Sequence, residues 1–436
     1  MLGLKKNLVS RYDYVYMIIM VLYMAQMTGF TDRMVGRLSG NPIPFLIPIV
    51  ATCILVNKHR VKFSNKNLYN VCALLFAWSV LVIFKMSLFS GTELSYYFFL
   101  FYAVIIAYIH IQAYGNKYFQ CYEEVIVLFS KIALVGWLIC NLLPGPASVI
   151  MHQFQATHYG NNFLYIFHWM DPAKGQIYRN AGCSWEPGRF AVMVVLGIVV
   201  NLSREGIRFR KNKNVKWLLL TLLSTMSTTG YITTMLLYSL YWIKKWNIKY
   251  IMSFVVVFIP VLYFLSTLDF IGDKLSKRMD VESLVNTAMV SIDYSNSIGE
   301  GEEYQSSLDR FESIYFEVIE NIPREPILGY GRNTDNSYYS KNISKAFTLT
   351  GGLAKLFGQY GLILGLILYF ILYKSSVRFA QNNANGKAMA LMIVILFSSI
   401  SYEIFCVPVF TAFWFYYLFE KRQGKLSLKT TLPSQF

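Results

Sequence analysis

Charge is what this sequence has least of. Asp, Glu, Lys and Arg make up 15% of its 436 residues, against ~25% in an ordinary soluble domain, while 55% are hydrophobic. Cysteine is also sparse: six are scattered along the chain, and Cys53, Cys72, Cys140 and Cys406 lie in or beside apolar runs. That spread excludes a disulfide framework and a compact zinc site. His152, His158 and His168 share a loop with Asp171, but their spacing matches no metal motif, so they read as solvated loop residues and no metal or other cofactor is expected. Ten-residue alternation of apolar and polar residues is missing, which excludes a closed β-barrel. There is no internal repeat and no low-complexity tract. The start, MLGLKKNLVSRYDYVYMIIMVLYMAQMTGF, is basic but lacks a small-residue cleavage site, so its apolar run reads as a retained span.

What is abundant is long apolar runs of 15 to 23 residues, recurring along the chain with short polar punctuation. That pattern predicts an all-α polytopic membrane protein. Spans fall near 14–30, 41–56, 69–90, 96–112, 124–143, 186–202, 250–268, 351–373, 386–400 and 402–420, with a further apolar stretch at 217–243. Basic loops sort the ends. NKHRVKFSNKN (57–67) holds four Lys/Arg, SREGIRFRKNKNVK (203–216) six, YKSSVRFAQNNANGK (373–387) three and the tail KRQGKLSLK four. Short basic loops stay cytoplasmic, so the net charge of +16 reads as a topology signal and nucleic acid is not expected as a partner. The segment 269–345 holds eight Lys/Arg against fourteen Asp/Glu, a net of −6, and belongs on the outer side with the loop 144–185. The chain thus divides into N-terminal membrane helices (1–268), a large outer loop (269–350), C-terminal membrane helices (351–420) and a cytoplasmic tail (421–436).

The charge rule constrains 217–243. If WLLLTLLSTMSTTGYITTMLLYSLYW crossed once, KKWNIK would lie outside and the acidic loop inside. Entry from the cytoplasm and return, as two arms joined near Ser227 to Gly230, removes the conflict. Each arm of about 13 residues makes ~20 Å of helix, short of a ~30 Å hydrocarbon core. A hydroxyl-rich tip inside the membrane needs protein or a wet cavity around it. The expected total is about 11–12 transmembrane or half-membrane helices, with short helices in the large outer loop.

Two stretches carry groups capable of chemistry. YRNAGCSWEPGRF (178–190) sets Arg179, Glu186 and Arg189 at the mouth of a span, with Pro187 suited to a first helical turn. Glu186 is either a helix-start residue favoured by the dipole, with Arg179 as counter-ion, or part of a site where guanidinium groups hold diphosphate oxygens. In the outer loop, Leu308 to Ile319 has helical apolar spacing with Arg310 on the opposing side. A proline-bounded turn follows, then Gly329-Tyr330-Gly331, then the polar run Arg332 to Ser337. On spacing alone the two glycines mark a turn. No Gly-Lys-Ser/Thr follows, which excludes a Walker phosphate loop.

The ordered set R-x-x-G-x-x-x-E-P (Arg179, Gly182, Glu186, Pro187) resembles the bacterial O-antigen polymerase and O-antigen ligase superfamily. So do STMSTTG at 224–230, the arginine-bearing outer-loop helix, and the G-x-G before a glycine-rich final span. The resemblance covers roughly residues 120 to 400. It implies an inner-membrane enzyme with its active site facing the periplasm, transferring glycan from an undecaprenyl-diphosphate-linked oligosaccharide to a hydroxyl of another glycan. It implies roles in catalysis for Glu186, Asp335 and Arg310, and in substrate binding for Arg179, Arg189, Arg332, Asn336 and Tyr338. Asp335 stands where the ligases have a histidine, which leaves the base open between Glu186 and Asp335 and argues mildly for the polymerase branch. A chain-length regulator protein is an expected partner beside the lipid bilayer. A diphosphate is already a good leaving group, so positioning and charge stabilisation are the main requirements, with a carboxylate as general base. The alternatives are a ligase acting on lipid A-core and, in another class, a flippase, which would carry charge within several spans and a pseudo-symmetric repeat.

Overall fold

The computed structural model describes residues 10–24, 43–86, 93–146, 161–163, 167–170, 178–184, 186–207, 212–242, 289, 310–343, 352–402, 404–405 and 407–420. The expected span at 250–268, the first part of the acidic loop, the tail, His152, His158 and Asp171 lie outside these residues. Helices dominate what is described. In chain order they are α1 (Arg11–Met24), α2 (Ile43–His59), α3 (Asn65–Met86), α4 (Glu93–Tyr114), α5 (Lys117–Leu142), α6 (Pro187–Glu205), α7 (Lys213–Thr225), α8 (Thr228–Trp242), α9 (Arg310–Phe316), α10 (Tyr338–Asn342), α11 (Gly352–Gln381), α12 (Ala390–Ser401), α13 (Pro408–Trp414) and α14 (Tyr416–Phe419). Among the described residues, α5, α6 and α11 are long and apolar enough to cross a membrane. Large apolar side chains stay exposed on the outer faces of α3, α5 and α11, including Phe76, Ile83, Leu142, Ile363 and Phe370. So much contiguous apolar surface is unfavourable in water and natural against lipid tails.

One feature departs from an all-helical reading. The loop before α6 forms an antiparallel three-stranded sheet, β1 (Asn161–Phe163), β2 (Phe167–Met170) and β3 (Arg179–Gly182), in the order β1-β2-β3. It packs on the end of α5, where Trp137 Nε1 donates to Tyr178 O at 2.6 Å and Asn141 Oδ1 accepts from Tyr178 N at 3.1 Å.

Helix α6 is the axis of the fold. It is buried on almost every side and is surrounded by α5, α7, α8 and α12. A helix apolar all round belongs in an interior. Its start is set locally: Glu186 is the extended N-cap and Pro187 takes the first position, where a missing N–H costs nothing.

Polar ties collect at one end of the bundle. Glu123 of α5, 1% exposed, accepts from Arg204 at 2.6 Å, Asn201 at 2.7 Å and Asn214 at 3.2 Å, joining α5, α6 and the start of α7. Asp13 of α1 meets His59 at 2.9 Å and Lys117 at 3.3 Å. Glu420 bonds Arg378 and Asn382, and Asn385 Nδ2 donates to Arg204 O at 2.9 Å. All these groups stand beside the described ends of the basic loops, and this is the basic end of the bundle. The sheet, the start of α6 and the start of α11 lie at the other, the sheet end.

The stretch 212–242 goes up and comes back. At the basic end Asn212 Nδ2 donates to Asn201 Oδ1 at 2.5 Å, and Tyr241 shares a 2.7 Å hydrogen bond with Ser203. At the sheet end Asn180 Nδ2 donates to Ser224 Oγ at 2.8 Å, and Gly230 abuts Ala191. Both arms therefore lie along α6. The turn is made by Met226, in the left-handed region at φ 50°, and by Ser227, whose Oγ accepts from Gly230 N at 3.3 Å.

The last apolar stretch is not one helix. After Ser401 none of Tyr402, Ile404, Phe405 and Val407 is helical, α13 begins at Pro408, and a second break falls at Phe415. Pro408 supplies the physical reason, since it cannot continue a helix arriving from its N-terminal side.

Candidate functional site

Arg179 leads β3 and turns toward the hairpin tip. Its Nε donates to Thr225 O at 3.4 Å and its Nη2 to Met226 O at 3.3 Å. The last carbonyls of a helix lack intrahelical partners and carry the negative end of its dipole. Arg179 therefore braces the tip, a role that the sequence reading did not assign to it. Glycine is required at position 182: its φ is +54°, and any Cβ there would overlap the Phe190 ring. The ring in turn fixes how α6 leaves the sheet. Cys183 is fully buried in that turn, and burial pushes its thiol up to about 12.

Glu186 and Arg189 stand one turn apart at the start of α6, each about a quarter exposed, with Arg189 Nε 3.7 Å from Glu186 Oε2. The N-cap role of Glu186 is carried by its backbone alone; its side chain makes no capping bond. The guanidinium carbon of Arg189 lies 4.9 Å from the centre of the Tyr402 ring. Tyr402 comes from the irregular stretch after α12.

The outer-loop residues form a second group, arranged around a break in α11. Gly361 has φ +78° and ψ 167°, which interrupts that helix, and a Cβ there would overlap the Ile327 carbonyl oxygen. Into the break the loop lays its backbone: Tyr330 N donates to Gly358 O at 2.8 Å, Gly331 N to Gln359 O at 3.1 Å, and Leu362 N to Pro326 O at 2.8 Å. The Gly329-Tyr330-Gly331 motif is thus more than a turn. It is where one backbone docks on another, and missing side chains allow the approach.

Above this clasp, α9 continues into a π-helical turn, Glu317–Asn321, of the kind that recurs at functional sites. Glu317 is 1% exposed and accepts from Asn321 Nδ2 at 2.8 Å; Asn321 Oδ1 accepts from Tyr339 N at 2.9 Å. Tyr339 is buried at the start of α10, and burial, with Glu312 nearby, raises its phenol. Gln359 Nε2 reaches Arg332 O at 3.5 Å. Asp335 is exposed in a short 3-10 turn whose cap is Asn333, Asn336 is nearly buried, and Tyr338 carries Arg324 over its ring at 4.7 Å. Arg310 opens α9, which packs against α11.

The expected residues therefore fall into two groups. Arg179, Glu186 and Arg189 share the sheet end of α6. Arg332, Asp335, Asn336 and Tyr338 share the loop clasped to α11, to which α9 brings Arg310. The stretch 402–407 is touched from both sides: Tyr402 by Arg189, and Phe405 by Tyr360, whose rings are 5.9 Å apart. Tyr402, Gln359, Glu317 and Asn321 were not singled out by sequence. Tyr402, Gln359 and Asn321 each meet a partner remote in the chain, whereas Glu317 accepts from Asn321 one turn away. Among the described residues no cluster of His, Cys, Asp and Glu suits a metal ion. Neither the comparison with known protein families nor that with curated proteins finds a match for this chain.

Proposed function

We propose that the chain is a metal-independent membrane glycosyltransferase that polymerises a surface polysaccharide. It takes glycan from an undecaprenyl-diphosphate-linked donor and passes it to a hydroxyl of a lipid-linked acceptor repeat, on the periplasmic side of a bacterial inner membrane. One observation carries the reading: a carboxylate and a guanidinium, Glu186 and Arg189, stand paired and accessible at a helix start, at the end of the bundle opposite the basic loops. A helix start and an arginine together favour an anion.

In this reading the acceptor oxygen attacks the anomeric carbon of the donor, the carbon–oxygen bond to the diphosphate breaks, and undecaprenyl diphosphate leaves with the bonding pair. The acceptor proton passes to Glu186, with Asp335 the rival base. Arg189, Arg310 and Arg332 neutralise the departing diphosphate, which removes the need for a metal. Arg179 holds the hairpin tip against β3 and supports the site from behind. Asn336 and Tyr338 contact glycan, and a chain-length regulator sets product size.

The test is purified protein in nanodiscs with undecaprenyl-diphosphate-linked repeats and no nucleotide sugar. Longer lipid-linked products are expected, and Arg310→Ala abolishes them while the protein stays folded and inserted. Transfer only to lipid A-core would make the enzyme a ligase. Movement of the lipid across the bilayer with no new glycosidic bond would make it a flippase. Wild-type product lengths from Arg310→Ala would remove that residue from the site.

A further inference from the structure

We infer that the outward seam between α5 and α7 binds an anionic phospholipid of the leaflet at the basic end, seated by Lys131 and Trp217, whatever reaction the chain catalyses. Helix α7 buries Val215, Leu218 and Leu222 against the bundle and turns Lys213, Lys216, Trp217, Leu220 and Leu223 outward. Those outward positions fall three and four residues apart, so they form one stripe that changes from basic to apolar toward the sheet end. Lys131 is the first exposed residue of α5, and Val135 and Leu138 continue its outward stripe. The Lys131 ammonium nitrogen lies 5.7 Å from the centre of the Trp217 ring, which joins the two stripes.

Lys131 stands deeper than a lysine that merely ends a span. Thr221 donates to Ser130 O at 3.2 Å, so the Lys131 backbone is level with the third turn of α7, ~12 Å beyond Lys213. A charge that far along a lipid-facing surface costs free energy unless it is paired or reaches polar ground. Its side chain meets Trp217, one turn nearer the basic end, as a snorkelling lysine does. No carboxylate answers it. Among the described residues Lys131, Lys213 and Lys216 form no ion pair, the first turn of α7 holds no acid, and the Trp217 indole N–H makes no hydrogen bond. Three ammonium groups and an indole N–H suit phosphate oxygens, and the apolar stripe beyond them suits acyl chains. A headgroup carrying its own ammonium would meet repulsion here, which favours an anionic one. The bilayer also comes to meet the site: α7 is ~20 Å long against ~30 Å of hydrocarbon, and a short helix draws headgroups inward.

Native mass spectrometry of the full chain in detergent, titrated with dioleoylphosphatidylglycerol or dioleoylphosphatidylethanolamine, reads the site. Wild type holds the phosphatidylglycerol more tightly. K131M lowers that affinity by roughly five-fold and leaves phosphatidylethanolamine binding within about two-fold. K131Q repeats the loss with a polar side chain, and K131R, which keeps the charge, retains binding. W217L keeps the charge but removes the ring and its N–H, and weakens phosphatidylglycerol binding by about two- to five-fold. K62M removes the same charge from the exposed loop between α2 and α3 and leaves both affinities at the wild-type level.

Equal affinity of wild type for the two lipids, wild-type binding in K131M and K131Q, or equal losses in K131M and K62M would each overturn the inference. A loss in K131R as large as that in K131M would overturn it as well, since the charge would then not be what binds. Displacement of phosphatidylglycerol by millimolar inorganic phosphate would assign the cations to a free anion and remove the lipid. Glycan extension is a separate measurement, and its presence or absence in wild type leaves each of these results as it stands.

Discussion

Replacing Gly361 with alanine isolates the clasp between the outer loop and α11. At φ +78° and ψ 167° the backbone occupies a region that L side chains rarely enter, a strain of roughly 1–3 kcal/mol. The new Cβ would also overlap the Ile327 carbonyl oxygen and lie 2.9 Å from Leu328 N, so 326–331 must retreat. Retreat lengthens the bonds from Tyr330 N, Gly331 N and Leu362 N, each contributing about 0.5–1.5 kcal/mol. Strain and lost bonds together come to roughly 2.5–7.5 kcal/mol, which multiplies opening of those amides by about 10²–10⁵. Gly115→Ala is the matched control: its φ is +55° but nothing lies within 4 Å of a Cβ there, so only ~1–2 kcal/mol of strain applies. Native-state hydrogen exchange by mass spectrometry, on peptides covering 322–334 and 356–366, reads the difference. Equal exchange in the two variants, or acceleration spread evenly over the chain, would refute the reasoning.

Three further outcomes are expected. Glu123→Ala leaves Arg204 with Glu205 at 3.6 Å and takes away the buried acceptor shared by Asn201 and Asn214, which costs about 1–3 kcal/mol, seen as a lower unfolding temperature by scanning fluorimetry; an unchanged midpoint would deny the cluster its role. Arg179→Lys supplies a single ammonium where two separate nitrogens serve two carbonyls, so exchange at 226–231 rises by roughly five- to thirty-fold, and wild-type exchange there would refute the brace. Cys183, held neutral by burial up to about 12, resists maleimide in the folded protein at pH 9 and reacts once the chain is unfolded. Because its folded value is raised, the stability it contributes is full below the unfolded thiol range of ~8.5 and fades as pH climbs toward 12; native labelling at pH 9 would show the turn to be open.

Hydropathy made the helices legible because each apolar run is a local property of the chain. The positions of the basic loops were equally local, and the helix ends beside them do meet. Glu186 and Pro187 announced a helix start for the same reason. The sheet was invisible because strands of three and four residues, such as NNF and FHWM, are too short for alternation to register. The clasp was invisible because Gly329 and Gly361 owe their identity to each other's neighbourhood, about thirty residues apart, and periodicity reports nothing at that separation. Arg179 was legible as an important cation, but whether it faces a ligand or a helix end depends on where Thr225 lies. Tyr402 looked like one aromatic among 32 tyrosines until its ring was placed beside Arg189.

The hairpin of α7 and α8 has a consequence for biogenesis. Four of its polar groups meet residues that come earlier in the chain: Thr221 donates to Ser130 O at 3.2 Å, Ser224 accepts from Asn180, Asn212 bonds Asn201 and Tyr241 bonds Ser203. In a bilayer an under-length, hydroxyl-bearing pair of helices has little reason to stay where it is put. The partners of these bonds precede the hairpin in the chain, whereas α12, which covers α8, follows it. A circularly permuted chain that emitted the hairpin first would deliver it before these partners exist.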